Sequence, residues 1–166
     1  MNNLLNKEVH LRVALLIERL MAEVPKKHAD ALAQFAKNYY AATPEQELED
    51  RKIDDLYGAT LECWNFMQKC PSHSKIRVFN PDFEEHGWQS THTIVEVLHK
   101  DVPFLVDSIR MELNRREMSI HFINHAVMHV DRNDKGDLDL NSSLSDVESP
   151  REAIVYVEVD RHTDEK

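Results

Sequence analysis

The sequence predicts an α+β fold in which a helical N-terminal part precedes a small β-sheet. Two observations carry this prediction. Apolar residues recur at helical spacing through residues 1–70, whereas four later segments alternate apolar and polar residues with a period of two. Between two of these segments the spacing becomes helical, which marks a β-α-β unit over residues 93–130. We therefore expect a helical subdomain at residues 1–72 and a β-α-β-β subdomain at residues 73–166, with a soft boundary at residues 70–75.

Three or four helices form the predicted N-terminal part. The first covers residues 5–24 with near-heptad spacing and ends at Pro25, and the second covers residues 28–42. Thr43 and Pro44 predict the start of a third helix, with Thr43 as its N-cap and Pro44 at its first position. This helix either runs on or restarts near Asp54, and it continues to Lys69.

The β-α-β unit is the centre of the predicted fold. Residues 93–99 alternate as a half-buried strand, and Asp101 and Pro103 are residue types that commonly start a helix. Residues 119–130 return to a period of two, and we expect the helix to lie across a sheet that the two strands form. The predicted apolar faces are Val102, Leu105, Val106, Ile109 and Leu113 on the helix, and Ile120, Phe122, Ala126, Met128 and Val130 on the second strand.

Two further strands complete the predicted sheet. Residues 75–79 form a short strand, and residues 153–160 form a longer one that runs antiparallel to residues 119–130. Residues 131–151 connect the strand at residues 119–130 to the strand at residues 153–160. They are rich in Asp, Asn and Ser, with Gly136 near their start. We interpret this connection as a mobile loop.

Composition excludes several classes of function. With 30 acidic against 20 basic residues the formal net charge is -10, which argues against binding to nucleic-acid phosphates. No apolar run reaches the ~20 residues of a membrane span, and the polar N-terminus is unlike a secretory signal. Cys63 and Cys70 are too few for a disulfide framework, so we expect reduced thiols. These features favour a cytoplasmic protein with no nucleic-acid or membrane partner.

No residue pattern identifies a catalytic, metal or cofactor site. His121, His125 and His129 recur every four residues, but on a strand such neighbours lie about 13 Å apart, too far to share an ion. Cys63 and Cys70 lack enough partners at zinc-ligand spacing. The three glycines are dispersed, which excludes a glycine-rich dinucleotide loop. We therefore assign no catalytic residue, no metal and no cofactor to this chain.

Four segments of the chain carry a family resemblance. The segment D-V-P-F-L-V-D-S-I-R-M-E-L-N-R-R-E-M-S-I-H (residues 101–121) resembles the turn, first helix and following strand of ACT domains. Together with D-L-Y-G-A (55–59), I-R-V-F-N-P-D (76–82) and G-W-Q-S-T-H-T-I-V-E-V (87–97), it is similar to the N-terminal region of the large bacterial NAD-specific glutamate dehydrogenases. The resemblance implies an incomplete ACT-like, ferredoxin-like sheet that lacks its second helix and last strand.

The resemblance also implies a function. The parent enzyme of such a region oxidatively deaminates L-glutamate with NAD, and its catalytic residues and NAD site lie elsewhere. Thr163 and Asp164 resemble a helix N-cap, so we expect this chain to be the N-terminal piece of a longer protein. We expect a non-catalytic regulatory and assembly domain whose partners are the downstream domains and further copies in a homo-oligomer. The alternatives are a free-standing amino-acid-binding sensor of the ACT type and a purely structural dimerisation module, for which the missing last strand leaves a sheet edge to be covered.

In ACT domains the turn between the first strand and the first helix commonly holds an amino-acid effector, which here implies Asp101, Val102, Pro103 and Phe104. Helix N–H groups attract a carboxylate, and Asp101 offers a partner for an ammonium group. Phe104 stands where ligand-binding members usually carry Gly, and its side chain fills space that Gly leaves for a ligand. The alternative interpretation is that Asp101 and Pro103 simply start the helix.

Overall fold

The structure, a computed structural model, describes residues 11–140, 144 and 147–163 and confirms the α+β class. None of the helices in this part of the chain is both long and apolar enough to cross a membrane. The elements in chain order are α1 (Leu11–Glu23), α2 (Lys26–Tyr40), α3 (Glu45–Glu49), α4 (Ile53–Met67), β1 (Ser74–Phe79), α5 (Phe83–His86), β2 (Thr93–Lys100), α6 (Leu105–Arg115), β3 (Ile120–His129) and β4 (Arg151–Val159).

The four strands form one sheet in the order β1-β2-β4-β3, and each neighbouring pair is antiparallel. The predicted antiparallel pairing of the last strand with β3 is confirmed, for example by Ala126 opposite Ile154. The two strands of the β-α-β unit are not neighbours, because β4 lies between them. The sheet under the helix thus contains β4 between the two strands of the unit, and the unit is a split β-α-β motif.

Alternation along the strands sorts the side chains onto two faces of the sheet. On β4, Ile154 and Tyr156 pack against the helices α1–α4, which we call the cap, whereas Val155, Val157 and Val159 pack under α6. The larger core therefore lies between the sheet and the cap, and a smaller core lies between the sheet and α6. Residues on both sides of the predicted boundary at 72/73 share the larger core, and the division into two subdomains stays a prediction.

A β-bulge interrupts the face predicted for β3. The register with β4 shifts between Ile120 and Phe122. Ile120 consequently packs with the core under α6, whereas Phe122, Ala126 and Met128 pack against the cap. The prediction that Ile120 shares their face is wrong, because the extra residue of a bulge changes the alternation. Val102 also leaves its predicted face, since it precedes α6 and is 39% exposed.

The cap contains the predicted helices with shifted ends. The expected start of the first helix at residues 5–10 lies outside the described residues. The predicted restart near Asp54 is confirmed by α4, which begins at Ile53. Thr43 is not the N-cap of α3, which follows Pro44 without a side-chain cap. Its hydroxyl donates instead to Asn124 Oδ1 at 2.7 Å and ties the cap to β3.

The described part of the connection before β4 packs against the end of α4. The N–H of Cys70 donates to the carbonyl of Gly136 at 3.0 Å, and the N–H of Leu138 donates to the carbonyl of Gln68 at 2.9 Å. Arg132 donates to the carbonyl of Met67 at 2.9 Å. Residues 131–140 are thus hydrogen-bonded to the end of α4, and the mobility of the connection stays a prediction.

A charged network is buried where β2 meets the cap. Glu96 is fully buried, and its Oε2 accepts from Arg77 Nε at 2.9 Å and Nη2 at 2.6 Å. Arg77 also donates to Glu62 at 2.9 Å. The other carboxylate oxygen, Oε1, has no hydrogen-bond partner among the described residues. Burial raises the pKa of Glu96, although Arg77 opposes the rise.

The replacement Gly58→Ala tests the packing of α4 on Trp88. A β-carbon at position 58 would lie 2.4 Å from Trp88 Cβ and 2.5 Å from its Cγ. Alanine normally favours a helix interior over glycine by about 1 kcal/mol. Here we expect overpacking to dominate and to lower the free energy of unfolding by about 1–3 kcal/mol, measured by urea denaturation. In a Trp88→Ala background the same change should be neutral or stabilising. If Gly58→Ala alone raised the free energy of unfolding, the close approach of position 58 to Trp88 would be contradicted.

The replacement Glu96→Gln tests the buried carboxylate through pH. Because burial raises the pKa of Glu96 above its ordinary value of 4.5, the folded chain holds this proton more tightly than the unfolded chain does. The group favours the folded state most below about pH 4.5, and that contribution is lost as pH rises through the folded pKa. The free energy of unfolding of the variant, relative to wild type, should therefore rise over this window. Urea denaturation at several pH values measures it, and a flat or falling difference would reject the raised pKa.

Candidate ligand-binding site

The predicted effector turn is anchored to β4. The Oδ2 atom of Asp101 pairs with Arg151 Nη2 at 2.5 Å, and the Asp101 N–H donates to the Arg151 carbonyl at 3.0 Å. Asp101 does not cap α6, because the helix begins at Leu105 and Phe104 occupies the N-cap position without a side-chain cap bond. The interpretation of Asp101 as a helix-starting residue is therefore wrong, and its carboxylate already has a cationic partner.

Phe104 has the backbone conformation that glycine adopts most easily. Its φ is 64°, in the left-handed region, and its side chain is 76% exposed. The aromatic ring therefore does not pack into the core of this chain. The effect of having Phe rather than Gly at this turn is backbone strain, because a left-handed φ is unfavourable for any residue with a side chain. Binding of an amino-acid effector by Asp101, Val102, Pro103 and Phe104 stays a prediction.

A cavity lies at the end of the domain opposite the turn at residues 101–104. It has a volume of about 610 Å³ and lies between the turn that joins α3 to α4, the segment before β2, and the ends of β3 and β4. This volume is in the range of small-molecule sites. Aromatic and aliphatic side chains form its floor: Tyr39, Tyr40, Leu48, Leu56, Phe122 and Tyr156.

An ion pair crosses the floor of this cavity and joins the cap to the sheet. Arg51 donates to both carboxylate oxygens of Glu158, at 2.6 Å and 3.1 Å, and its guanidinium lies 4.3 Å above the centre of the Phe122 ring. Tyr156 donates to Glu158 at 3.0 Å. Burial raises the pKa of Tyr156, so its hydroxyl stays a hydrogen-bond donor at neutral pH. The floor is therefore both apolar and internally hydrogen-bonded.

Trp88 forms one wall of the cavity. It is buried, with only 3% of its surface exposed, and its ring lies against Gly58 and edge-to-face with Phe79. Its indole N–H is buried and has no acceptor among the described residues. Since buried donors are nearly always satisfied, this N–H is an exception within the described part of the chain.

Charged residues of both signs surround the opening. Arg161 follows β4 and donates to the Ser90 carbonyl at 2.9 Å, which places it beside the segment that carries Trp88. Lys52 adds a second cation, and Asp50 and Asp55 add carboxylates from the α3–α4 side. The rim therefore offers charge partners to an anion and to a cation.

The histidines of β3 do not form a row of equivalent side chains. His121 is the extra residue of the bulge, its ring lies 4.4 Å from that of His92, and its Nε2 contacts Asp160 Oδ1 at 2.6 Å. His129 contacts the Ser149 carbonyl at 3.0 Å, and His125 is exposed. Within the described part of the chain, no three His, Cys, Asp or Glu side chains are arranged to hold a metal ion.

The two cysteines are free and buried. Burial raises the pKa of the Cys63 thiol, which keeps it protonated at neutral pH. Cys63 packs in the core as a small apolar residue.

Sequence reasoning missed Arg51, Trp88, Glu158 and Arg161. One signal was available for Glu158, because it breaks an otherwise apolar face of β4 formed with Ile154 and Tyr156. A charged residue on a buried strand face requires a partner, and here the partner is Arg51. Nothing local in the sequence identifies Arg51, which lies 107 residues earlier.

The helical cap and the antiparallel split β-α-β sheet define this chain as an ACT-like α+β domain. Its sequence agrees with this class over most of its length. Residues 35–166 match the family described as "Glutamate dehydrogenase, ACT1 domain", and the chain belongs to this family.

Two relatives are long enzymes. The chain is 52% identical over 149 residues to an NAD-specific glutamate dehydrogenase of Halomonas elongata, an alignment that covers 88% of this chain and 9% of the relative. It is 45% identical over 130 residues to an NAD-specific glutamate dehydrogenase of Pseudomonas aeruginosa, covering 76% of this chain and 8% of that relative. The chain thus spans less than a tenth of the length of either. No solved structure matches it.

The replacement Phe104→Gly tests the strain at the effector turn. A left-handed conformation costs a non-glycine residue about 1–2 kcal/mol. Because the Phe104 ring is 76% exposed, little packing is lost, and we expect the free energy of unfolding to rise by about 1 kcal/mol. Thermal and urea denaturation measure this change. Val102→Gly is the control, since the φ of Val102 is not positive and glycine should destabilise there. Loss of stability in Phe104→Gly would show that the ring makes contacts that outweigh the strain.

Proposed function

We propose that this chain is a non-catalytic regulatory and assembly domain of an NAD-specific glutamate dehydrogenase. The observation that carries the proposal is the match to the ACT1 domain family in a region that makes up 8–9% of the related enzymes. The parent reaction would convert L-glutamate, NAD and water to 2-oxoglutarate, ammonia and NADH. The residues that bind NAD and carry out this chemistry belong to other parts of the parent polypeptide, in the cytoplasm.

The roles of the polar side chains support a non-catalytic domain. The most deeply buried carboxylates, Glu96 and Glu158, are each held by an arginine that joins the cap to the sheet. A general base or acid needs access to a substrate proton, and these groups are engaged in structural pairs instead. The two buried carboxylates therefore stabilise the fold.

The sheet edge supports the assembly part of the proposal. Among the strands that the structure describes, the edge strand β1 pairs only with β2, and its Ile76 and Val78 are 67% and 61% exposed. Exposed apolar residues on an edge strand are usually covered by another element. The partners we propose are downstream domains of the parent chain and further copies in a homo-oligomer.

Two other functions have an observation in their favour. The cavity of about 610 Å³ favours a ligand-binding sensor, which includes a free-standing sensor of the ACT type. The exposed edge of β1 favours a purely structural dimerisation module. A regulatory domain of a larger enzyme is compatible with both the cavity and the exposed edge. The length of the two relatives favours this function over the other two. An amino acid held by Asp101–Phe104 is a further proposal, in which its ammonium group would compete with Arg151 for Asp101.

The absence of catalysis can be measured directly. The purified 166-residue chain, incubated with L-glutamate and NAD, should produce no NADH above the rate without protein, because the catalytic groups lie elsewhere in the parent. NADH absorbance follows the reaction. The intact Pseudomonas aeruginosa enzyme serves as the positive control under the same conditions. Turnover by the purified chain at a rate proportional to its concentration would overturn the proposal.

A further inference from the structure

The free edge of the sheet at β1 lacks the bulge and the proline that often keep an edge strand unpaired. The strand pairs with β2 in one continuous register from Ser74 to Phe79. Within the described part of the chain its backbone makes no other backbone bond, and only the Ser74 carbonyl accepts a side-chain bond, from the Ser72 hydroxyl. Since alternate residues turn their N–H and C=O groups away from the neighbouring strand, about half of β1 offers backbone groups to a further strand.

The two faces of this edge differ in chemistry. Ile76 and Val78 pair with residues of β2 that pack under α6, and they are 67% and 61% exposed. Lys75 and Arg77 point to the opposite face, where Arg77 binds the buried Glu96 and Lys75 contacts the end of α4. A strand added at this edge would therefore meet apolar side chains on one face and cationic side chains on the other.

Lys75 is a half-buried cation beside this edge. Its ammonium donates to the carbonyls of Phe66 at 2.8 Å and Lys69 at 3.0 Å. Arg77 has carboxylate partners, whereas no carboxylate of the described residues forms an ion pair with Lys75. Burial lowers the pKa of Lys75, and Arg77 and Arg132 lower it further. An ammonium carries three N–H groups, so one donor remains. Such a cation disfavours most added strands and favours one that brings a carboxylate.

A second copy of this chain fits the edge poorly. A two-fold axis that pairs β1 with itself keeps each face of the sheet on its own side. The two registers that overlap most of the strand place either two Arg77 side chains, or Lys75 and Arg77, directly opposite each other. Like charges in these positions destabilise a strand pair. Each copy also has a formal net charge of -10, so two copies repel each other.

We propose that β1 binds an extended segment in which apolar and acidic residues alternate, supplied by the parent polypeptide outside residues 1–166. Its backbone pairs with the free edge, its apolar side chains cover Ile76 and Val78, and one of its carboxylates binds Lys75. Since the chain spans 9% and 8% of its two relatives, most of the parent lies outside it. The proposal deepens the assembly part of the proposed function and rests on that function only for the source of the strand.

Peptide titration of the 166-residue chain tests the chemistry of this edge. Four synthetic peptides of equal length are the probes. In three of them valine alternates with glutamate, glutamine or lysine, and in the fourth the valines and glutamates form two blocks. Amide NMR spectra of the isotope-labelled chain follow binding. We expect saturable shifts at β1 with the alternating glutamate peptide, at least about threefold weaker binding of the glutamine peptide, and no binding of the other two.

Variants locate the site. Lys75→Gln should bind the glutamate and glutamine peptides equally, because the cation that distinguishes them is gone. Ile76→Ser and Val78→Ser remove exposed apolar surface without adding charge, and each should weaken binding of the glutamate peptide about tenfold. Met111→Ser is the matched control, since it removes a similarly exposed apolar side chain from α6 and should bind as the wild type does. Circular dichroism checks the fold of each variant.

Three results would overturn the proposal: no shift at β1 up to the solubility limit of the glutamate peptide, equal binding of the lysine peptide, or binding that neither Ile76→Ser nor Val78→Ser weakens. Light scattering of the chain alone adds a fourth, because a dimer that Ile76→Ser dissociates assigns the edge to a second copy instead. These failures are independent of the assay for NADH formation. If the peptide binds and the chain also turns over glutamate, the strand site stands and the non-catalytic function falls.

Discussion

The packing of β4 between two layers is the constraint on which the rest of the structure depends. This strand pairs with β2 on one side and β3 on the other, and residues 153–159 are all buried. Its alternate side chains fill the core under the cap and the core under α6. Because β4 lies between β2 and β3, the two strands of the β-α-β unit are joined in one sheet through it. The fold is therefore dominated by contacts between residues far apart in sequence.

Two buried carboxylates on the cap-facing side of the sheet fix how the cap lies on it. Glu96 on β2 is held by Arg77 from β1, which also donates to Glu62 of α4, and Glu158 on β4 is held by Arg51 from the α3–α4 turn. A carboxylate buried without its cation would cost several kcal/mol, so each pair disfavours arrangements in which the partners separate. The Arg51 pair holds the α3–α4 turn over the end of the sheet. That end is where the cavity lies, so the position of the cavity follows from the ion pair.

Much of the fold could be predicted from the sequence, because apolar spacing reports which face of an element is buried. The alternation over residues 153–160 predicted a strand, and the structure has β4 there, packed on both faces. The features that the sequence did not predict depend on contacts between residues distant in sequence. The bulge that turns Ile120 to the other face, the bond that takes Thr43 away from α3, and the ion pair between Arg51 and Glu158 each involve residues far along the chain. Local propensity carries no information about such partners, and for the same reason the sequence predicted the turn at 101–104 but not the cavity.

The cavity and the turn differ in what a bound molecule could influence. At the turn, Asp101 and Arg151 connect only the ends of β2 and β4 near α6. A ligand in the cavity would contact the α3–α4 turn of the cap and, across from it, Trp88, β3 and β4. Such a ligand would stabilise the docked arrangement of cap and sheet, by about 2.7 kcal/mol at a hundred times its dissociation constant if it bound no other state. Regulation requires a ligand that prefers one arrangement of the protein over another. A site whose walls come from both layers meets that requirement through its construction, whereas the turn would need a second chain or domain to provide the opposing wall.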